Sequence, residues 1–442
     1  MYKEAFIEDL YARRDELLGR EVTVCGWVHR IRDLGKLKFI LVRDRTGLLQ
    51  VVVKKGETPE EVVEAARGLK LEAVVCARGV LVESKSKLGI ELKARELKIL
   101  SSPVEPLPLE PDTSTEAGLA TRLNYRWLDA RNPRVSMIFQ YEALVARAFR
   151  EYYTSQSFVE IFTPKIVAAG TESGAEVFPV VYFGREAFLA QSPQFYKQMA
   201  VIGGLERVFE IGPVFRAEPH HTTRHLTEYH SMDIELGFIE GPEDVMDFVE
   251  GFFKHLVDTV KRDPKARAIL EEFNADIAMP REIPRITMRE AYRILEEEYG
   301  KKLPYGEDLD PEGERLLGRY FKEKHDSDFV FVTEYPWASR PFYTMRKPDE
   351  PEWTYGFDLL MKGLEVVTGS QREHRYDELL KNLSDKGLDP ASFQFYLDFF
   401  KHGAPPHGGA GMGLERIVMQ SLELENIREA RLLPRDPERI TP

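Results

Sequence analysis

Four of the ten histidines of this sequence stand in one short stretch, FRAEPHHTTRHLTEYHSMDIE, which covers residues 215–235. Histidine clusters often bind metal, and His221 and His225 have the H-x3-H spacing of many metal sites. Arg216 and Arg224 stand among them, however, and two arginines would repel a divalent cation while gripping phosphate through planar forks of donors. The stretch therefore favours an anion site over a zinc site, and a solvated surface hairpin remains an equal alternative.

A glycine-rich run, GGAGMG, precedes the apolar, helix-like run LERIVMQSLEL and ends at Gly413. Glycines let a backbone approach a ligand closely, and Arg416 follows near the positive end of the expected helix, so phosphate is again the natural ligand. The run is neither a Walker A loop nor a Rossmann fingerprint. A tightly packed glycine-rich strand is the alternative.

Residues 356–375, GFDLLMKGLEVVTGSQREHR, hold further polar candidates. Glu365 and Thr368 can supply oxygen ligands for magnesium beside phosphates, and Arg372 follows a Gly-Ser-Gln turn. The stretch 158–198 adds Pro164, Glu172, Gln194 and Lys197.

The elements that position these residues can be recognised from hydrophobic patterning. VFEIGPVFR and SMDIELGFI flank the histidine stretch and are both strand-like, so residues 217–228 are expected to form the loop of an antiparallel hairpin. Residues 137–153 place their apolar side chains on one helical face, and the remainder of the chain alternates short strands and helices.

Residues 20–100 contain five strand-like runs, and the helix-like TPEEVVEAARGLK follows the third of them. This order is typical of an OB-fold barrel, a common binder of single-stranded nucleic acid; a small all-β domain of another role is the alternative. SSPVEPLPLEPDT then reads as a stiff linker. We therefore expect an OB domain over 1–102, a linker over 103–135, and a catalytic domain over 136–442 with a helical insertion around 262–330.

Composition sets broad limits on function. The chain has 442 residues and a net charge of −13, and no apolar segment long enough to span a membrane. Residues 1–100 carry 20 Lys and Arg against 16 Asp and Glu, which suits a polyanion-binding module on an acidic body. Cys25 and Cys76 lie in separate apolar runs and offer neither a disulfide framework nor a cysteine zinc site, so a cytoplasmic location is expected.

Together the motifs resemble those of the class II aminoacyl-tRNA synthetases. FVEIFTPKI resembles motif 1, FRAE with RHLTEYHSMDIE motif 2, and GMGLERI motif 3. RLNYRWLDAR, AQSPQFYKQ, GSQREHR, GAPPHGG and LPRDPERITP are similar to the aspartyl/asparaginyl branch in its compact archaeal-type form. The resemblance covers essentially the whole chain.

The resemblance implies an α+β fold, with an N-terminal OB barrel and an antiparallel catalytic sheet flanked by helices, in a homodimer built partly on motif 1. It also implies a two-step reaction, in which a carboxylate attacks the α-phosphate of ATP and the acyl group then passes to tRNA. Such chemistry needs positioning and charge stabilisation more than a base.

By position, the resemblance assigns the ATP site. Arg216 would neutralise the α-phosphate, Glu218 would read the adenine amino group, and Tyr229 and Arg416 would sandwich the ring. Arg216 and Arg416 are the expected catalytic residues. The remaining ATP contacts would be Arg224, His225, Leu226, Glu365 and Gly413, with Glu365 and Thr368 holding Mg²⁺.

The resemblance also assigns the amino-acid site. Glu172 would pair with the substrate ammonium, Gln194 would orient the amino acid, and Lys197 and Arg372 would bind the side chain. Arg216 and Thr368 are further expected contacts. Two cations suit the β-carboxylate of aspartate and not a neutral amide, although Ser370 in TGSQRE is more typical of asparaginyl relatives, which leaves asparagine as the alternative.

For the tRNA, the resemblance implies that Phe39 stacks an anticodon base while Gln50 and Glu91 read base edges. His29 resembles enzymes that charge both tRNA-Asp and tRNA-Asn, whereas Lys87 resembles strictly tRNA-Asp-specific ones. The balance favours the relaxed type of enzyme, which charges both tRNAs. The alternative is that His29 is an ordinary exposed residue of a strand. A paralogue without aminoacylation is a further alternative, which the presence of all motif arginines disfavours.

Overall fold

The computed structural model describes residues 3–168, 170, 176–219 and 222–442. The chain divides into two compact units, Met1–Ser136 and Met137–Pro442. A helix capable of crossing a lipid bilayer does not occur among the described residues.

The first unit contains a closed five-stranded barrel with strand order β1-β2-β3-β5-β4. Its strands and helices are α1 (Ile7–Ala12), α2 (Arg14–Leu17), β1 (Glu21–Asp33), β2 (Leu37–Asp44), β3 (Gly47–Lys54), α3 (Glu60–Arg67), β4 (Val74–Glu83), β5 (Ile90–Ser101), α4 (Leu119–Asn124) and α5 (Arg126–Asp129). Alternate apolar residues such as Val24, Ile40, Val51 and Leu92 fill the barrel interior, as a period of two residues requires. The predicted OB barrel, with a helix after its third strand, is confirmed.

The expected linker, residues 103–135, is largely helical. It is irregular as far as Glu110, and a 3₁₀ turn over Pro111–Glu116 and the helices α4 and α5 follow. Asp129 is fully buried in this segment and accepts hydrogen bonds from Arg126 and from Arg122, whose Nε lies 3.2 Å from Oδ1. Residues up to Ser136 group with the first unit.

The second unit is built on an eight-stranded sheet with strand order β12-β13-β14-β15-β16-β11-β10-β6, beside a three-stranded sheet β7-β9-β8. Its strands are β6 (Val159–Glu160), β7 (Ile166–Val167), β8 (Pro179–Tyr182), β9 (Arg185–Leu189), β10 (Arg207–Phe215), β11 (Glu228–Gly237), β12 (Arg285–Thr287), β13 (Phe329–Thr333), β14 (Gly356–Met361), β15 (Leu364–Gln371) and β16 (His407–Gly413). The antiparallel sheet expected from the sequence is present, but the pairs β12–β13 and β10–β6 are parallel.

Helices of the second unit pack on and around the large sheet. They are α6 (Pro133–Ser155), α7 (Gln194–Ala200), α8 (Pro242–Arg262), α9 (Pro264–Phe273), α10 (Met288–Tyr299), α11 (Pro311–His325), α12 (Tyr376–Asp385), α13 (Gln394–Phe400) and α14 (Leu414–Ser421). Side chains of α6 and α8, such as Phe149 and Phe252, form the main core with strand residues such as Phe209 and Ile234. The apolar face predicted for residues 137–153 therefore faces the sheet.

The segment expected as a helical insertion, residues 262–330, is not purely helical. It contains α9, α10 and α11, but it also supplies β12, and it reaches the beginning of β13. Both strands belong to the edge of the large sheet. The segment is therefore part of the catalytic sheet and not only an appendage to it.

The two cysteines form a disulfide, contrary to the expectation from the sequence. Cys25 on β1 and Cys76 on β4 are direct partners in the antiparallel register, and their Cα atoms lie 4.1 Å apart. The sequence could not show this pairing, because 51 residues separate the two positions and only the barrel register brings them together.

We expect iodoacetamide to leave both cysteines unmodified in the unfolded, unreduced protein. After reduction, iodoacetamide should label both cysteines, and mass spectrometry measures the labelling. Because the disulfide closes a loop spanning 51 positions, a Cys25→Ala/Cys76→Ala variant should lower the free energy of unfolding by roughly 4 kcal/mol in the chain-entropy account. Reductant should destabilise the wild type to the same extent and leave the double variant unchanged. Labelling of the unfolded chain before reduction would contradict the disulfide.

A partly buried carboxyl on α6, Glu142, lies next to Glu415 and His230, with one possible ligand atom of each within 4.8 Å of the others. The guanidinium of Arg431 occupies this cluster, since its Nη1 donates to Glu415 at 3.2 Å and contacts Nδ1 of His230. Burial, and then the charge of Glu415, raise the pKa of Glu142 to about 7.

This raised pKa predicts a pH dependence of stability. The native state retains a proton on Glu142 that the unfolded chain releases near pH 4.5, so the wild type loses stability as the pH rises from about 4.5 to about 7. A Glu142→Gln variant should lack this loss and be more stable by about 3 kcal/mol at pH 8, with no difference at pH 4. Equilibrium denaturation at each pH measures it, and Glu151→Gln, at an exposed position of the same helix, is the control. Parallel pH profiles of the wild type and Glu142→Gln would contradict the assignment.

Candidate functional site

One cavity of about 400 Å³ in the second unit gathers the expected site residues. Those that line it are Gln194, Lys197, Arg216, Glu218, Arg224, His225, Leu226, Tyr229, Glu365, Thr368, Arg372, Gly413 and Arg416. They come from four separate parts of the sequence, which the fold brings to one face of the large sheet. Glu172 lies outside the described residues.

The β10–β11 hairpin supplies one wall, as the patterning predicted. On β11, Tyr229, Ser231 and Asp233 line the cavity, whereas Met232 and Ile234 are fully buried in the core on the other side of the sheet. Alternation along one strand therefore produces both the cavity wall and the packing that holds it in place.

Three arginines line the end of the cavity expected to bind phosphates. Arg216 lies over the ring of Tyr229, with 5.7 Å from its Cζ to the ring centroid. Arg416, in the first turn of α14, donates to the carbonyl oxygen of Glu365 at 2.9 Å. Arg224 pairs with Glu314 of α11 at 3.0 Å. These cations are held by partners before any ligand arrives, which suits an anion site.

The histidines of the hairpin have different environments. Nδ1 of His225 lies 2.6 Å from Oγ1 of Thr222 inside the loop, and His225 lines the cavity. The backbone N–H of His230 donates to Glu415 at 3.0 Å, and its ring lies in the cluster with Glu142. His220 and His221 lie outside the described residues.

Carboxylates are concentrated beside the arginines. Asp358 on β14, Glu365 on β15 and Glu314 lie close enough to interact, and burial followed by the charge of Asp358 raises the pKa of Glu365 to about 7. Burial also raises the pKa of Glu314. Mutually repelling carboxylate oxygens beside a phosphate site are the donor set that Mg²⁺ requires.

The expected metal ligand Thr368 is committed to other contacts. Its hydroxyl donates to Oδ1 of Asp358 and accepts from Nη1 of Arg340 at 2.8 Å. Arg340 also pairs with Asp358 at 2.7 Å, and its Cζ lies 3.8 Å from the ring centroid of Tyr335. Glu365 and Thr368 stay the predicted metal ligands, and Asp358, which the Thr368 hydroxyl contacts, is a further oxygen donor beside them.

At the other end of the cavity, two cations and two carboxylates form a buried network. Lys197 donates to Asp233 at 2.7 Å and lies 3.4 Å from Glu235. Arg372 donates to Glu235 through Nε at 3.0 Å and to Oγ of Ser370 at 2.7 Å. Burial alone would raise the pKa of Glu235, but Arg372 and then Lys197 hold it below its usual value.

The glycines of β16 make room for this network. A Cβ on Gly409 would lie 2.0 Å from Oε2 of Glu235, and one on Gly411 would lie 3.3 Å from Oδ2 of Asp233. A Cβ on Gly413 would meet only the flexible side chain of Arg416, at 3.4 Å. The run is thus a packed strand that also brings the backbone close to the site, so the two interpretations of its sequence both apply.

A second cavity lies on the barrel of the first unit. Phe39, Gln50 and Glu91 line it, and the amide of Gln50 donates to Glu91 at 2.8 Å. Four cations share the lining: Arg30, Arg32, Lys85 and Lys93. An aromatic ring among cations is the arrangement by which OB barrels bind single-stranded nucleic acid.

The two residues expected to discriminate between tRNAs stand apart from that lining. Lys87 is exposed. His29 is partly buried, and its Nδ1 lies 2.9 Å from Asp112 and 3.0 Å from Arg43; burial lowers its pKa. The alternative expected an exposed side chain, and His29 is not exposed; its role in choosing the tRNA stays a prediction.

Sequence reasoning missed several residues that this structure places in the site: Ser192, Asp233, Asp308, Arg340, Asp358 and Glu415, with Glu235 and Glu314 behind the cavity wall. A signal existed for Asp358, which is the single acid in the apolar strand β14. Arg340 had none, because it follows a 3₁₀ turn and reaches the site only through tertiary structure.

Comparison with known proteins agrees with this architecture. Residues 118–437 match the family of tRNA synthetases class II (D, K and N), and residues 22–100 match the OB-fold nucleic acid binding domain. An aspartate–tRNA(Asp/Asn) ligase of Aeropyrum pernix is 68% identical over 100% of both chains, and an aspartate–tRNA(Asp) ligase of Pyrococcus abyssi is 46% identical over 97% of this chain and 98% of its own.

A solved structure of asparaginyl-tRNA synthetase from Pyrococcus horikoshii, complexed with asparaginyl-adenylate, superposes with a TM-score of 0.92 at 33% identity over 100% of both chains. The chain therefore belongs to the class II tRNA synthetases of the D, K and N group.

Proposed function

We propose that this protein is an aspartate–tRNA ligase that activates L-aspartate with ATP and transfers it to tRNA-Asp. The observation that carries the proposal is the presence of two buried cations, Lys197 and Arg372, at one end of the cavity whose other end holds the arginines. The near-identical length and 68% identity of the Aeropyrum relative support it.

The charges favour aspartate over asparagine. Lys197 and Arg372 each keep a carboxylate partner, so burying them costs little before substrate binds. Both still present only donors to a ligand. The β-carboxylate of aspartate accepts from both, whereas the amide NH₂ of asparagine would face cations with donors of its own. Ser370 accepts from Arg372 and so keeps its own proton to donate to the ligand.

The first step forms the adenylate. The α-carboxylate of aspartate attacks the α-phosphorus, the bond to the β-phosphate oxygen breaks, and pyrophosphate leaves. Arg216 would stabilise the charge on the pentavalent α-phosphate, and Arg224, His225 and Arg416 would hold the β- and γ-phosphates. In the second step the terminal ribose hydroxyl of tRNA attacks the acyl carbon and AMP leaves.

Glu365 and Thr368, with Asp358 beside them, would hold Mg²⁺, which would neutralise charge on the β- and γ-phosphates when bound. Arg340 then has a clear role of its own: it orients Asp358 by a 2.7 Å pair. Glu218 and Tyr229 would receive the adenine, and Glu172 the substrate ammonium.

A homodimer and a cytoplasmic location complete the proposal. The motif 1 stretch exposes apolar side chains that a partner would cover: Val159, Phe162 and Ile166. Phe162 is 82% exposed. Charging of tRNA takes place where translation does, and intracellular disulfides such as Cys25–Cys76 occur in hyperthermophiles.

A Lys197→Leu substitution should abolish aspartate-dependent ATP–pyrophosphate exchange, because it removes one of the two cations for the β-carboxylate. We expect kcat/KM for aspartate to fall by at least about a hundredfold, with the Kd for ATP unchanged. Lys322→Leu is the matched control. Nζ of Lys322 lies 3.2 Å from the buried Asp328, and neither residue lines the cavity. Undiminished exchange in Lys197→Leu, or preferential activation of asparagine by the wild type, would contradict the aspartate assignment.

We also propose that the enzyme charges tRNA-Asn with aspartate. His29 supports this by its resemblance to relaxed enzymes, while Lys87 stands against it. His29 lies on β1, where its Nδ1 contacts Asp112 at 2.9 Å and Arg43 at 3.0 Å, so its ring is held in one position on the barrel.

Purified tRNA-Asn transcript should therefore accept aspartate from the wild-type enzyme. His29→Trp should reduce this charging at least about tenfold while charging of tRNA-Asp stays within a few-fold, because a bulkier ring would replace a fixed small one. The charging of tRNA-Asp by the same variant is the control for a general loss of tRNA affinity. The absence of Asp-tRNA-Asn with the wild type would disprove the relaxed specificity.

A further inference from the structure

A chain of buried polar side chains runs behind the amino-acid end of the cavity. Gln194 and Gln198 lie one turn apart on α7, His407 begins β16, and Tyr396 lies on α13. Gln198, His407 and Tyr396 are fully buried, and Gln194 lines the cavity. The lining residues Lys197 and Arg372 lie beside this chain, and the backbone N–H of Arg372 donates to the carbonyl oxygen of His407 at 2.8 Å.

The carbonyl oxygen of Pro405, at one end of this row of polar side chains, determines which of its groups donate and which accept. Nδ1 of His407 lies 2.9 Å from the carbonyl oxygen of Pro405, which can only accept, so Nδ1 carries the hydrogen. Burial lowers the pKa of His407 despite the nearby charge of Glu235, and keeps the ring neutral. Arg372 and His374 are the other charged or titratable groups close to the ring. Nε2 is therefore an acceptor.

The orientation of the Gln198 amide follows from this tautomer. Its Nε2, 2.8 Å from Nε2 of His407, must donate. Its Oε1 then accepts from the hydroxyl of Tyr396 at 3.2 Å and from Nε2 of Gln194 at 2.9 Å. Burial raises the pKa of Tyr396, so this hydroxyl stays a donor. The tautomer of His407 therefore sets the position of Oε1, and both of these contacts are compatible with it.

The orientation of the Gln194 amide, which lines the cavity, follows in the same way. Because Nε2 of Gln194 donates to Gln198, the amide of Gln194 cannot exchange its two ends without losing that hydrogen bond. Its Oε1 is left to accept from a ligand. A substrate ammonium needs an acceptor, and the neighbouring Lys197 cannot provide one.

We propose that Gln198 and His407 are positioning residues that hold the amide oxygen of Gln194 toward the α-ammonium group of the amino acid. This inference rests on the proposed amino-acid activation. It gives the cavity an acceptor at the ammonium position and donors at the β-carboxylate position, so the amino acid binds in one orientation. A reversed Gln194 amide would place N–H groups against the ammonium.

Two substitutions separate positioning from mere stabilisation of the fold. Gln198→Met and His407→Leu should each raise the KM for aspartate in pyrophosphate exchange at least about tenfold, while the KM for ATP stays within twofold. His407→Gln should restore the KM for aspartate to within about threefold of the wild type, since its amide oxygen can accept from Gln198. Ser327→Ala, which removes buried hydrogen bonds to Phe329 far from the cavity, should lower the melting temperature only.

An unchanged KM for aspartate in both Gln198→Met and His407→Leu would overturn the proposal, as would an equal rise in the KM for ATP. A direct measurement covers the case in which these variants fold poorly. In ¹⁵N-histidine-labelled wild type, the His407 resonances, assigned by their loss in His407→Gln, should show the Nδ1–H tautomer at pH 8. The Nε2–H tautomer or a protonated ring would overturn the proposal, whichever amino acid the enzyme activates; failure of the wild type to exchange with aspartate would overturn the proposed function alone.

Discussion

The arrangement of the amino-acid site depends on one buried charge. Glu235 is fully buried in the central strand β11, and an isolated carboxylate there would cost far more free energy than a domain has to spare. Arg372, directly after β15, and Lys197 on α7 supply the compensation. Any sequence that keeps Glu235 must therefore keep both cations, and must hold them at fixed positions.

That requirement extends to the neighbouring strand. Glu235 occupies the space that a side chain at position 409 would take, so β16 must carry glycine there. The glycine also allows β16 to stay in register between β11 and β15. Since Arg416 follows the same strand at the start of α14, one packing constraint in the amino-acid pocket helps to set the position of an arginine at the phosphate end.

The two ends of the cavity differ in how their charges are balanced. The amino-acid end is closed and nearly charge-balanced, which lets it recognise a small ligand by the geometry of donors and acceptors. The phosphate end keeps its arginines partly exposed and holds Asp358, Glu365 and Glu314 in mutual repulsion. A polyanion would neutralise the positive charge of the arginines, and a divalent cation would reduce the repulsion among the carboxylates. The charges of this end therefore suit a polyanion that binds together with a divalent cation.

Local patterns explain what could be predicted from the sequence. Alternating residues identified the hairpin and the barrel strands, and the motif arginines predicted a phosphate site, for which the structure shows a cavity lined by those arginines. The pairing of Cys25 with Cys76 and the parallel edge of the sheet depend on register between distant segments, which no local period records. Arg340 and His407 escaped for the same reason: each acts through contacts with residues far away in the sequence.

The histidine-rich stretch shows how charge balance decides between two interpretations of one motif. His230 does stand with two carboxylates in a group that could hold a metal ion. Arg431 already supplies the positive charge there, by contacts with both His230 and Glu415. A permanent guanidinium makes a divalent cation redundant at that position and repels it. Arginine therefore favours phosphate on the cavity side of β11 and disfavours a metal ion beside His230 on the other side. Both conclusions depend on the positions of the arginines.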